Sequence, residues 1–313
     1  MSAPADAKPA EAPRHFVDVT DLGATELGEV LDLAEAPLDE LPRVLAGQGA
    51  ALVFEKPSNR TRHSTEIAVV QLGGHPVYTR GEEIGFDVRE TVEDVTRILA
   101  GYHGLLAARV FAHATVERMA AVSTVPVVNL LSDRSHPLQA VADVLTMHEY
   151  LGPLAGRTVA YVGDYNNVAR SLAEACVLLG ACVRLGCPPG YEAGEDELTR
   201  LRAVGAGEVV QVADPFAAVR EAEAVHTDVW TSMGQEDERA ARLAAFAGWG
   251  VTEEVMAAAA PGARFLHCLP AHRGEEVSAE VIDGPRSLVI AQGHNRLHAA
   301  RGLIAHLLGA RPG

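Results

Sequence analysis

The stretch 51-ALVFEKPSNRTRHSTEIAVVQL-72 carries the signal that decides the fold: an apolar run, a polar turn, then a helical pattern. ALVFE reads as a buried strand and EIAVVQL as part of a helix. Between them lie Ser58, Asn59, Arg60, Thr61 and Arg62. A strand-to-helix turn directs unpaired backbone N–H groups and the positive end of the helix dipole at one point. Hydroxyl and guanidinium groups there add charge-assisted donors, so phosphate is the natural guest. Serine and threonine also cap helices without any ligand, and an exposed arginine is often simply solvated. Two arginines interleaved with three capping-type residues favour an anion site over a plain cap.

Outward from this turn, strand-like runs alternate with helical patterns: PVYT, GLLAARV, VPVVNLL, TVAYVG, CVRLGC, EVVQV, AVHTDVW, RFLHCLP and SLVIAQ. The alternation predicts an α/β protein with doubly wound parallel sheets. The helical stretch HPLQAVADVLTMHEYLG ends near Gly152 and Pro153, and a fresh strand begins at Thr158, which places a domain boundary around residues 147–156. Five polar clusters directly follow strand-like runs: SNRTR, SHPLQ, GDYNN, DVWTSMGQE and HCLPAHRGEE. Ligands of open α/β sheets collect beyond the carboxyl ends of strands, so the clusters predict one site shared between two domains.

The 313 residues, 48% hydrophobic and 22% charged, suffice for two such domains. Residues 1–15, MSAPADAKPAEAPRH, read as a flexible tail: they lack the apolar core of a signal peptide. No apolar run approaches membrane-spanning length. A net charge of −16 argues against nucleic acid, although locally focused cations can still hold an anionic substrate. The four cysteines form no CxxC pair and lack a spaced histidine set for zinc; reduced thiols in a cytoplasmic protein are the simplest reading. GDYNN occupies the place of a dinucleotide-binding turn but lacks GxGxxG, which argues against NAD.

In order, FEKPSNRTR, SHPLQ, GDYNN, DVWTSMGQE, HCLPAHRG and HNRLH closely resemble the aspartate/ornithine carbamoyltransferase family, and SMG and HCLP its ornithine branch. The resemblance runs from Phe54 to the C-terminus. It implies a carbamoyl phosphate domain (16–150 plus a returning C-terminal helix, 294–313) and an ornithine domain (151–293), with the active site in the cleft between them. It implies carbamoyl transfer from carbamoyl phosphate to the δ-amine of ornithine, giving citrulline and phosphate, as in arginine biosynthesis. Neither metal nor organic cofactor is required. Family members are commonly trimers or assemblies of trimers, with a loop of one subunit completing its neighbour's site; here that loop is TRGEEIGFD, around Glu82 and Glu83.

The resemblance also assigns roles. Ser58, Asn59, Arg60, Thr61, Arg109 and Arg296 fall on carbamoyl phosphate, together with the neighbour-supplied Glu83. His136 and Gln139 match the positions that recognise the carbamoyl group, where an imidazole N–H stabilises a developing oxyanion. Cys268 and Leu269 match the segment whose backbone carbonyls receive the carbamoyl NH₂. Asn167, Asp228, Ser232 and Met233 match the ornithine site, a carboxylate suiting the α-ammonium and an amide the α-carboxylate. Arg109, His136 and Cys268 are the catalytic candidates, with no acyl-cysteine implied. The chain departs from the family's usual residues at Asn59 (threonine), Glu83 (glutamine), Leu138 (a smaller residue) and His294 (acidic). A carboxylate at Glu83 would repel phosphate, so an ion pair with Arg80 or Arg89 is expected in the assembled enzyme. The rival readings are a carbamoyltransferase for putrescine or an acylated ornithine, disfavoured by SMG and Asp228, and an inactive ligand-binding homologue, for which Asn59, Glu83 and His294 speak.

Overall fold

The strand runs of the first half assemble in the order β2-β1-β3-β4: β1 Gly49–Phe54, β2 His75–Arg80, β3 His103–Arg109 and β4 Val127–Leu131, all parallel. The second half adds β5 Thr158–Val162, β6 Cys182–Gly186, β7 Glu208–Val212, β8 Ala224–Thr227 and β9 Arg264–His267 in the parallel order β7-β6-β5-β8-β9. This computed structural model describes residues 12–231 and 236–313. Helices cover both sheets, so the central strands are buried on both faces and read as continuous apolar runs instead of alternating ones.

Strand order reverses between β1 and β3 in the first sheet and between β5 and β8 in the second. Crossovers leave opposite faces of the sheet at such a point, and a crevice opens at the carboxyl ends of the strands. The two crevices hold Phe54–Thr61 and Arg109 on one side, and Gly163–Asn167 and Asp228 on the other.

Two long helices join the halves. Pro137–Leu151 starts with Pro137 at its first position, where a missing N–H costs nothing. All of its residues from Pro137 to Met147 are buried. Val289–Leu307 lies against it and against the helices Ala24–Glu35 and Asn59–Gln71 of the first half. Gly302 permits the closest approach: a Cβ there would lie 2.6 Å from the Val30 carbonyl oxygen and 2.7 Å from the Ala34 nitrogen. Arg301 Nη2 then caps the end of Ala24–Glu35 by donating to the carbonyls of Ala34 and Ala36, 3.0 Å each. One apolar core runs through both halves, from Phe16 and Leu52 to Leu172 and Leu303.

SLVIAQ, expected to be a strand, is a correction. Ser287 makes a single parallel bridge with Phe265, and Val289 already opens the long C-terminal helix. Six residues, four of them apolar, fit either structure, and here helical packing against Ala24–Glu35, Asn59–Gln71 and Pro137–Leu151 wins. No helix of the described residues is long and apolar enough to cross a membrane.

A buried ionic junction also ties the halves. Asp18 accepts from Arg170 Nη1 (2.7 Å) and Ser135 Oγ (2.8 Å). Glu174 lies against Arg170 (3.1 Å) and Arg200 (2.7 Å). Ser171 Oγ, on the same helix as Arg170, accepts the His136 backbone N–H at 3.0 Å.

Candidate active site

The cleft between the sheets encloses about 870 Å³ and gathers the ends of six strands, β1, β3, β4, β5, β8 and β9. On the first wall, Ser58 caps the helix Asn59–Gln71, its Oγ accepting from Thr61 N at 3.4 Å. Thr61 is fully buried and its hydroxyl accepts from Arg296 Nη2. Ser58, Asn59, Arg60, Thr61, Arg109, His136 and Arg296 all line this wall. Arg109 and Arg296 are each 6% exposed. Among the described residues, no carboxylate pairs with Arg60, Arg109 or Arg296, and the Nε atoms of Arg60 and Arg109 are buried without a hydrogen-bond partner.

Three guanidinium groups at one wall without counter-charges demand an anion, since an unpaired buried cation costs several kcal/mol. Burial, reinforced by repulsion from Arg296 and Arg60, lowers Arg109 to about 10. Burial likewise lowers Arg296 to about 10, with Arg60 adding to the effect. Both remain cationic at neutral pH. The same field acts on His136: burial first, then Arg296 and Arg109, hold its imidazole well below the usual histidine range. It is therefore neutral, with Nδ1 buried and unpartnered, and can donate one N–H without bringing a fourth positive charge.

The facing wall is polar and acidic. Asn166 caps the helix Asn167–Leu178, its Oδ1 accepting from Val168 N (2.9 Å) and Ala169 N (3.0 Å). Its Nδ2 donates to Asp228 Oδ2 at 2.9 Å. Cys268 Sγ donates to Asp228 Oδ1 at 3.1 Å. Burial and Asp228 push the thiol well above its ordinary range, which keeps it protonated and makes it a donor, not a nucleophile. Asn167 Nδ2 reaches across the cleft to the Ser132 carbonyl at 2.7 Å. Leu269, at φ +59°, stands in the left-handed region that non-glycine residues rarely occupy. Its N–H donates to His267 Nδ1 at 2.9 Å, which helps hold the turn.

Most of the residues singled out from sequence thus meet in one cleft. Gln139 lies one turn behind His136, 1% exposed, with Nε2 on Asp143. Glu83 is exposed on the short helix Gly81–Ile84, outside this chain's cleft; Arg89 donates to its backbone carbonyl (2.9 Å), not to its carboxylate. Ser232 and Met233 lie outside the described residues. Lys56, Asp164 and Arg242 line the cleft without having been singled out. Lys56 follows the strand directly, and Arg242 pairs with Asp164 at 2.7 Å, 78 positions away in sequence, a distance no local pattern bridges.

Comparison with known proteins agrees with this geometry. Residues 14–149 match the family model "Aspartate/ornithine carbamoyltransferase, carbamoyl-P binding domain", and residues 155–307 its "Asp/Orn binding domain" counterpart. An ornithine carbamoyltransferase of Thermus thermophilus is 49% identical over 298 residues, covering 95% of this chain and 97% of that protein. One of a Parafrankia species is 46% identical over 304 residues, 94% and 96%. The solved ornithine carbamoyltransferase of Pyrococcus furiosus superposes with a TM-score of 0.90 at 41% identity, over 96% of this chain and 98% of that one. Matches across both halves, joined to a wall of unpaired guanidinium groups facing a carboxylate and a thiol, lead to one assignment: the chain belongs to the aspartate/ornithine carbamoyltransferase family.

Proposed function

We propose that this chain transfers the carbamoyl group of carbamoyl phosphate to the δ-amine of L-ornithine, yielding L-citrulline and phosphate. The observation that carries the proposal is the cluster of buried Arg109 and Arg296 with half-buried Arg60, without carboxylate partners among the described residues, opposite Asp228 and Cys268. The 58–61 turn and the three arginines hold the phosphoryl oxygens. His136, neutral, donates to the carbamoyl oxygen as it gains charge, a contact worth a few kcal/mol in the transition state. Leu269 and Cys268 offer backbone carbonyls, and Gln139 its side-chain carbonyl, to the carbamoyl NH₂. Asp228 takes the α-ammonium of ornithine and Asn167 its α-carboxylate, with Ser232 and Met233 completing that end.

The neutral δ-amine attacks the carbamoyl carbon; a C–N bond forms, the C–O bond to phosphate breaks, and the proton shed by nitrogen leaves with phosphate or solvent. A free alkyl amine titrates near ~10, so selection of the neutral form is part of the task. Cys268 stays a protonated donor to Asp228 throughout. Orientation and preorganised charge supply most of the rate.

A trimeric assembly like the family's would bring Glu83 of one copy to the cleft of the next, its carboxylate paired with Arg80 or Arg89. Sedimentation at about three times 33.1 kDa is the expected result. A cytoplasmic role in arginine biosynthesis follows from the same reading. The deciding experiment mixes purified protein with carbamoyl phosphate and, in parallel, ornithine, putrescine, N-acetylornithine or aspartate, and measures ureido product and phosphate. Citrulline from ornithine alone supports the proposal; turnover with another amine, or none at all, overturns it.

A further inference from the structure

Beneath the cleft lies a carboxylate with no part in the steps above. Asp143 is fully buried on the helix Pro137–Leu151, one turn after Gln139. Its Oδ1 accepts from two side-chain amides, Gln139 Nε2 at 2.7 Å and Gln292 Nε2 at 2.6 Å. Gln292 is fixed at its other end as well, because its Oε1 accepts from His267 N at 2.8 Å. His267 leads directly into Cys268, and Gln292 is one helical turn before Arg296. A carboxylate accepts only, so both amides must turn their NH₂ groups to Asp143. The flipped form of Gln139 would set a carbonyl oxygen against a carboxylate. Its Oε1 is left buried without a partner, an acceptor that costs about 1–3 kcal/mol unless a donor arrives.

We infer that Asp143 is a positioning residue: it locks the amide of Gln139 so that the carbonyl oxygen is presented to the carbamoyl NH₂, and through Gln292 it sets the segment entering Cys268 in the same register. This rests on the carbamoyl-transfer reading and adds to it how the Gln139 share of the discrimination between a carbamoyl group and an acyl group of the same shape is held in place.

The test uses full-length protein and three ligands in titration calorimetry: phosphonoacetamide, which carries the NH₂; acetonylphosphonate, which carries a methyl in its place; and inorganic phosphate. Wild type should prefer the amide by about a hundredfold, the worth of two buried hydrogen bonds, one to the Gln139 carbonyl and one to the 268–269 backbone carbonyls. Asp143→Ala should cut that preference about tenfold, the share of the Gln139 carbonyl, while phosphate affinity stays put, because a flipped Gln139 no longer accepts and only the 268–269 carbonyls still do. Asp143→Asn, which keeps an acceptor oxygen without charge, should restore the preference. Asp143→Val, nearer in volume, substitutes if the alanine variant does not fold.

An undiminished preference in Asp143→Ala overturns the inference, as does phosphate affinity falling in step. Loss of preference in Asp143→Asn also overturns it, since charge and not amide orientation would then be the cause. Failure of both apolar variants to fold would assign Asp143 to the fold and do the same. Wild type that prefers phosphonoacetamide yet forms no citrulline would leave the positioning role standing and remove the transfer reading.

Discussion

Arg109 and Arg296 are held at a cost to the fold, and that cost is measurable. Among the described residues neither has a carboxylate partner, and both titrate lower than an exposed arginine because they are buried beside other cations. Arg109→Met should therefore weaken carbamoyl phosphate binding by about a hundredfold, the worth of two charge-assisted hydrogen bonds, and yet raise the melting temperature in phosphate-free buffer. Calorimetry and thermal melts on the same variant check both halves, and a lowered melting point would count against the unpaired-charge argument. Cys268 makes the opposite point. Its thiol is a protonated donor to Asp228, so Cys268→Ser should lower kcat by only about tenfold, where removing a true nucleophile costs on the order of 10⁶. Of these residues the sequence displayed only the 58–61 group as a physical pattern. An arginine at a strand end and a histidine before proline look ordinary by themselves, and it took the resemblance to a known family to single out Arg109 and His136.

Among elements, the helix Asn167–Leu178 does the most joining. Its cap, Asn166, holds Asp228; its Ser171 holds the His136 backbone; its Arg170 and Glu174 form the buried junction with Asp18. Burial, then the Asp18 charge, raises Glu174 to about 8 from an ordinary value of 4.5. The folded protein keeps this proton between those two values and the unfolded chain does not, so the contribution is whole below about 4.5 and is lost as pH rises toward 8. Urea denaturation from pH 5 to 9 should show wild type losing stability relative to Glu174→Gln up to about pH 8, with no further divergence above it. Parallel profiles would place the proton elsewhere. The elements themselves were largely readable, because each crossover has its own strand-turn-helix signature. The exception was SLVIAQ, whose six residues carry no period long enough to separate strand from helix start, and whose fate was set by partners far away in the chain.

For the whole molecule, the two halves share a core but face one another across a polar cleft. Ligands that bind only the folded form stabilise it by mass action, about 2.7 kcal/mol at a hundredfold excess over Kd. Phosphate or carbamoyl phosphate should accordingly raise the melting temperature of wild type and, at the same concentration, stabilise Arg109→Met by only about 0.4 kcal/mol. Gly302→Ala, which forces a methyl into the backbone of Ala24–Glu35, should cost about 1–3 kcal/mol and lower the melting temperature by a few degrees with KM unchanged. The order of synthesis gives the C-terminal helix a further meaning. Val289–Leu307 closes over Ala24–Glu35 and Asn59–Gln71, elements made near the beginning of the chain. While the chain is still growing, the first half must wait on the ribosome with that apolar face open, needing shelter until Val289–Leu307 has been made and has emerged. A stop codon just ahead of Val289 would therefore damage most the part of the protein it leaves intact.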